Sequence, residues 1–198
     1  MKLVIMTKPT FFVEEDKILT TLFEEGMENL HLRKPNSSPI YAERLLSLLS
    51  ENYYRKITVH GHYYLKNEYG LGAIHIDNPD EPMPEGYKGK YSRTCTEITQ
   101  LKEAKKKAEY VFLSETFSSL ENNARDIKKL EEASKNGLID RRVYAMGGVN
   151  LENLKIAKDL GFGGVVICGD LWNRFDIHNE IDYKRLINHF EKIYKAIS

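Results

Sequence analysis

Six histidines occur in this 198-residue chain, and four of them, His31, His60, His62 and His75, stand where short apolar runs end. His31 is two residues from Arg33, and His75 is two residues from Asp77. In an extended strand such pairs share a face. The chemistry open to these residues is of three kinds. Imidazole titrates near neutral pH, so His31, His60 or His75 could serve as an acid–base group. The set His60, His62, His75 and Asp77 could bind zinc, but no stronger ligand motif accompanies it, and structural or substrate-contacting roles rank above it. Arg33 offers a planar fork for phosphate and Lys34 a point charge. Asp77 and Asp80 could hold Mg²⁺ against a pyrophosphate, which needs only one or two protein oxygens. In a loop with Pro79, Pro82 and Pro84, the ordinary role of those aspartates is turn formation.

A second group of candidates is backbone rather than side chain. Arg142 to Asn150 reads as a buried strand, a Gly147-Gly148 turn and an Asn-capped helix start. Gly161 then stops the helix, and a second buried strand follows within the run from Gly161 to Asp170, which ends in Cys168-Gly169-Asp170. In eight-stranded (β/α) barrels the loops after strands seven and eight frequently hold a phosphate on backbone N–H groups. Glycine lets the backbone approach the anion, and a helix N-terminus adds unpaired donors. A lone Gly-Gly turn fits any βαβ unit equally well, so the remaining elements must decide.

Those elements alternate. Strands are expected at Leu3–Met6, Asn29–Arg33, Lys56–His60, Ala73–Ile76, Lys90–Thr94, Tyr110–Leu113 and in the two segments just described. Helical spacing of apolar residues marks Asp16–Glu25, stopped by Gly26, and a helix opened by Ser38-Pro39 that uses proline where its missing donor is harmless. Thr94 with Glu97 fits a capping box for a helix through Ile98, Leu101, Ala104 and Ala108. Asn136-Gly137 is a helix stop, and Asp182–Ile197 is a closing amphipathic helix. Asp77 to Gly89 reads as loop. Eight apolar strands alternating with helices imply a parallel sheet covered on both faces. The expected fold is therefore an α/β (β/α)8 TIM barrel in a single domain over 1–198. A flavodoxin-like open sheet would need fewer strands. The collected strand ends, from Thr7 and Lys8 to Ser114 and Glu115, should line the barrel mouth.

The 29 basic and 29 acidic residues balance, so no global field points to nucleic acid or an anionic membrane. Lys105-Lys106-Lys107 is expected to be a solvated helix face. Cys95 and Cys168, distant and not in a CxxC pair, read as free thiols of a reducing compartment. With the apolar start too brief for a signal peptide and no run of membrane-spanning length, the expected setting is cytoplasmic.

The order of motifs resembles the thiamine phosphate synthase family and its relatives, the thiazole tautomerases of the TenI type. Leu30-His31-Leu32-Arg33-Lys34-Pro35 is similar to the family's Leu-Gln-Leu-Arg-Glu-Lys. Ala73-Ile74-His75-Ile76 with Asp80 is similar to Gly-Val-His-Leu followed by Gly-Gln-Glu-Asp. Ala108-Glu109-Tyr110-Val111 resembles Ala-Asp-Tyr-Val, and Ala145-Met146-Gly147-Gly148-Val149 resembles Ala-Ile-Gly-Gly-Ile. The resemblance implies a barrel enzyme that joins a hydroxymethylpyrimidine pyrophosphate to a thiazole phosphate, releasing pyrophosphate with Mg²⁺. It places His31, Arg33 and Lys34 among catalytic groups, and His60, His75, Thr94 and Ser119 against substrate. Phosphate falls on Gly147, Gly148, Cys168, Gly169 and Asp170, and the metal on Asp80. The partners are small phosphorylated substrates, and a homodimer is compatible with the reading.

The chain also departs from the pattern. Gln becomes His31 and the motif's Lys becomes Pro35. The Asn-Asp after strand three becomes His60-Gly61, which removes one Mg²⁺ ligand. The Pro-Thr-x-Thr-Lys loop becomes Ser118-Ser119-Leu120-Glu121-Asn122, without the lysine, and Thr96 stands where the tautomerase has its histidine. Alternatives to the transferase are thus a thiazole tautomerase-like isomerase and a catalytically degenerate barrel that still binds a phosphorylated metabolite. In the last case Asp170 should turn to solvent or cap the segment after it, because a carboxylate facing phosphate repels it.

Overall fold

Eight parallel strands close into a barrel in sequence order, β1 pairing with both β2 and β8 so that no edge stays open. They are β1 Lys2–Met6, β2 Leu30–Leu32, β3 Ile57–His60, β4 Ala73–Ile76, β5 Tyr91–Cys95, β6 Val111–Leu113, β7 Val143–Ala145 and β8 Gly164–Ile167. Between and after them run α1 Glu15–Glu24, α2 Pro39–Leu48, α3 Tyr64–Glu68, α4 Leu101–Ala104, α5 Ile127–Lys135, α6 Leu154–Asp159, α7 Gly169–Trp172 and α8 Glu180–Ile197. This computed structural model describes residues 1–117, 125–174, 176 and 179–198. No helix among them is long and apolar enough to cross a membrane.

Alternation along each strand divides the buried residues into two sets. Ile5, Leu30, Leu32, Ile57, Val59, Ile74, Val165 and Ile167 face outward and pack on Leu19, Leu22, Leu46, Leu186 and Phe190 of the surrounding helices. Their neighbours face inward. Val4, Met6, Phe112, Tyr144 and Val166, from β1 and β6–β8, make a small apolar cluster. Opposite them β2–β5 contribute His31, Thr58, His60, His75, Ser92 and Thr94, all buried. The interior is thus apolar on one side and hydrogen-bonded on the other. Gly164 exists for this filling: a Cβ there would lie 2.6 Å from the Tyr144 ring.

Several ends follow sequence logic. Pro39 occupies the first turn of α2, and Gly137 takes φ +70° after α5. Three expectations are corrected. Thr94 does not cap a helix, because β5 runs on to Cys95 and carries its side chain inside. The reciprocal cap forms instead between Glu97 and Gln100. Asn150 is not the cap of α6 either; Asn150 and Asn153 each accept the other's backbone N–H at 3.0 Å, and the helix starts one residue later. Lys105 is not solvated but reaches Asp140 at 2.7 Å and the Leu138 carbonyl at 2.8 Å, since α4 ends at Ala104.

Candidate active site

The loops at the C-terminal strand ends are tied together by β1. The Thr7 hydroxyl donates to the Arg33 carbonyl and accepts the Arg33 N–H, each at 3.0 Å. The Thr7 carbonyl accepts from the Cys168 thiol at 3.7 Å. One residue thereby sets the end of β2 beside the end of β8, and Arg33 and Lys34 are close enough for their charges to act on Cys168, whose thiol burial pushes up.

Arg33 is half-exposed and donates through Nε to both oxygens of Asp77, at 3.2 and 3.3 Å. Its terminal nitrogens have no partner among the described residues. Burial pushes Asp77 up, but the His60 hydrogen bond and the Arg33 charge outweigh it and hold the carboxyl below its usual range. Asp77 also accepts from His60 Nδ1 at 2.9 Å. His60 Nε2 lies 2.8 Å from His31 Nδ1, and His31 Nε2 lies 2.7 Å from the Tyr110 hydroxyl. His75 is held at both nitrogens, by Ser92 at 2.7 Å and Thr94 at 2.8 Å. Burial lowers all three imidazoles, His31 and His75 well below the ordinary value. These rings were expected at the mouth. They lie inside the barrel because strand alternation points them at its axis, where Phe112 stacks on His75 at 4.5 Å.

Lys34 points elsewhere. Its Nζ donates to Glu15 at 2.5 Å and to the carbonyls of Lys8 and Thr10 at 2.9 and 3.0 Å, with the Phe11 ring 4.5 Å away. Both side chains of the pair are almost wholly buried; burial raises Glu15 and lowers Lys34. All three donors of this ammonium are therefore engaged by the loop between β1 and α1 and by the first residue of α1.

The glycine loops border a cleft of about 850 Å³ whose lining includes Lys8, Ser114, Glu115, Gly147, Gly148, Cys168, Gly169 and Asp170. Gly147 and Gly148 take φ of +92° and +66° in succession, conformations that side chains resist. The carbonyls of Met146 and Gly147 accept from Thr116 and Phe117 at 2.9 and 3.0 Å, so the loop after β6 fixes the turn. Among the described residues, the N–H groups of Gly147, Gly148 and Gly169 have no acceptor. Asp170 follows neither expected course. Its buried carboxylate accepts the Leu151 N–H at 3.2 Å and meets His189 at 2.8 Å and Arg174 at 2.5 Å. It turns back onto the preceding turn and α8, its charge matched by Arg174. Trp172, from the same loop, donates its indole N–H to the Met6 carbonyl at 2.7 Å. A second cleft, of about 600 Å³, lies at the opposite barrel end against Lys2, Thr58, Tyr110 and Tyr144. Barrel chemistry belongs to the C-terminal strand ends, so the candidate site is the first cleft; Arg33 is not part of its lining but lies near enough for its charge to act on Cys168.

Asp80 is exposed in the loop after β4, where its own N–H donates to Asn78 Oδ1 at 2.9 Å. Arg93 holds that loop through the carbonyls of Pro79 and Glu81, at 2.5 and 2.8 Å. Ligand nitrogens of His31, His60 and His75 lie within 4.8 Å of one another, but each is already hydrogen-bonded. Ser119 lies outside the described residues. Sequence reasoning placed Thr7 at the mouth without its bridging role, and gave no role to Tyr110 or Glu15. Tyr110 carried a signal, being two residues before the inward Phe112; Glu15 carried none.

No family model and no curated protein matches the chain. Solved structures do. A thiamine phosphate pyrophosphorylase from Bacteroides thetaiotaomicron is 45% identical, with 99% of this chain and 97% of that one covered and a TM-score of 0.89. A thiamine phosphate pyrophosphorylase from Pyrococcus furiosus is 17% identical over 99% and 95% of the two chains, with a TM-score of 0.75. A mutant tryptophan synthase alpha-subunit from Pyrococcus furiosus reaches 0.66 at 14% identity, covering 98% and 97%. The last two speak for the fold alone. With near-half identity along almost its whole length, the chain belongs to the thiamine phosphate pyrophosphorylase family, that of the thiamine phosphate synthases.

Proposed function

We propose that this protein is a thiamine phosphate synthase-like transferase, joining a hydroxymethylpyrimidine pyrophosphate to a thiazole phosphate. The observation that carries the reading is Arg33, anchored through Nε with its terminal nitrogens meeting no acceptor among the described residues, at the same barrel end as a glycine turn whose N–H groups have no acceptor among those residues. As the carbon–oxygen bond to pyrophosphate breaks, negative charge grows on the leaving group, and a preorganised guanidinium stabilises it without reorganising. The thiazole phosphate would sit on the N–H groups of Gly147, Gly148, Gly169 and Asp170, next to Cys168. Thr94 and His75 back this site from within the barrel, and Lys34 supports it by fixing the loop that carries Lys8.

Mg²⁺ belongs to the same proposal. When bound it neutralises pyrophosphate oxygens. A hard cation takes oxygen ligands and is commonly held by one or two carboxylates plus substrate phosphates. Asp80 fits that role, whereas Asp77 is engaged by His60 and Arg33 and the histidines offer only nitrogen. A cytoplasmic setting and a homodimer complete the reading; sedimentation would measure the latter.

The test is formation of thiamine phosphate from both substrates with Mg²⁺. No product above background, with an active family enzyme alongside, overturns the proposal. An isomerase would need an acid–base group facing its ligand, and every ring nitrogen of His31, His60 and His75 is engaged. A degenerate binder would show thiazole phosphate binding in calorimetry without turnover.

A further inference from the structure

We infer that His60 and His31 are positioning residues for Arg33: a directed line of hydrogen bonds from Tyr110 through both rings to Asp77 fixes the guanidinium at the mouth. The inference rests on the synthase reading only for the identity of the anion that Arg33 meets.

The direction of the line follows from its upper end. Asp77, ionised beside Arg33, can only accept, so His60 donates from Nδ1. A neutral His60 must then accept at Nε2, which makes His31 the donor from Nδ1 and the acceptor at Nε2. That acceptor takes the Tyr110 proton. The lower end agrees, since the Asn29 amide donates to the Tyr110 oxygen at 3.2 Å and leaves the phenol proton for His31. Neutral rings are what the site favours. His31 is wholly buried and the His60 side chain is 2% exposed. Around them stand His75, stacked 4.3 Å from His60, and the cations Arg33 and Arg93, while Asp77 is the facing carboxylate. Tyr110 is itself held by Tyr144, stacked at 4.5 Å.

The line thus begins beside the start of β6, at the cleft opposite the site, and ends just past β4. None of its rings reaches the mouth. What they do is remove freedom: Asp77 is pinned by His60, Arg33 Nε is pinned by Asp77, and both Nη groups are left for a ligand. Tautomers make the line a single unit. Reversing His60 would turn an acceptor nitrogen toward the Asp77 carboxylate, and reversing His31 alone would set two acceptor nitrogens face to face.

The experiment is nitrogen-15 NMR of the labelled full chain, combined with titration of inorganic pyrophosphate in Mg²⁺. His31 and His60 should both be neutral Nδ1–H tautomers, and the Arg33 Nε–H should be protected from exchange. His60→Leu should abolish that protection and weaken pyrophosphate about tenfold, as expected for loss of a hydrogen bond to a charged group. His60→Asn, whose amide nitrogen replaces Nδ1, should keep most of both. Tyr110→Phe, remote from any anion, should cost about threefold in affinity. An Nε2–H tautomer at His60, or Leu and Asn variants that behave alike, overturns the inference. A wild type that ignores pyrophosphate overturns the synthase reading instead, and the tautomers and Arg33 protection still decide the line.

Discussion

Arg33 and Lys34 are adjacent cations with opposite assignments, and their partners make the difference. Arg33→Lys would keep the charge but lose both the Nε contact to Asp77 and the fork. Turnover per substrate (kcat/KM) should fall about 100-fold with the fold intact, the scale of losing one preorganised donor. Steady-state kinetics with circular dichroism checks this. Lys34→Met would strand the Glu15 carboxylate, whose Oε2 already lacks a partner among the described residues. Breaking such a buried pair should destabilise by about 3–5 kcal/mol, and adding Glu15→Leu should recover most of it. Denaturant melts of the single and double variants measure it, and the double variant's turnover gives the catalytic share of Lys34. Arg33 was legible in the sequence because strand alternation and a free fork are local properties. The destination of Lys34 was not, since the acid that captures it lies 19 residues away on another element.

At the scale of elements, apolar runs located most strands, because burial on both faces leaves a continuous signal; β2 was read from the alternation of Leu30 and Leu32, and β5 carries the polar Ser92, Arg93 and Thr94. Caps were read less well. Thr94 and Asn150 have capping chemistry, but β5 extends one residue further and Asn153 completes a reciprocal pair, and such competition is settled by tertiary geometry. Two glycines carry element-level predictions. Gly164→Ala should destabilise by about 1–3 kcal/mol through collision with the Tyr144 ring, with Tyr144→Ala relieving part of it; thermal melts of the three variants test this. Gly148→Val forces a β-branched residue to positive φ and fills the anion turn. It should destabilise by about 1–3 kcal/mol and lower thiazole phosphate affinity in calorimetry; unchanged binding would place the anion elsewhere.

For the whole molecule, barrel closure followed from counting units, whereas the polar half of the interior did not. Sequence alternation shows which residues share a face but not which face is the axis. That buried half makes stability depend on pH. The folded histidines have pKa values below those of the unfolded chain, so the unfolded state takes up protons first as pH falls. Their contribution is complete above about pH 6.5 and is lost below it, at up to about 1.4 kcal/mol per pH unit for each ring. Urea unfolding at about pH 7.5 and 5.5 should show the drop, and His75→Asn should lessen it. Trp172, the only tryptophan of the chain, has a further consequence. It is 2% exposed, with its indole bonded to Met6 and its ring edge-on to Phe12 at 6.0 Å, yet it belongs to the turn that begins at Gly169. Its fluorescence is therefore a built-in reporter with two uses: blue emission that shifts red when the barrel opens, and an intensity that changes when an anion settles on the neighbouring loop.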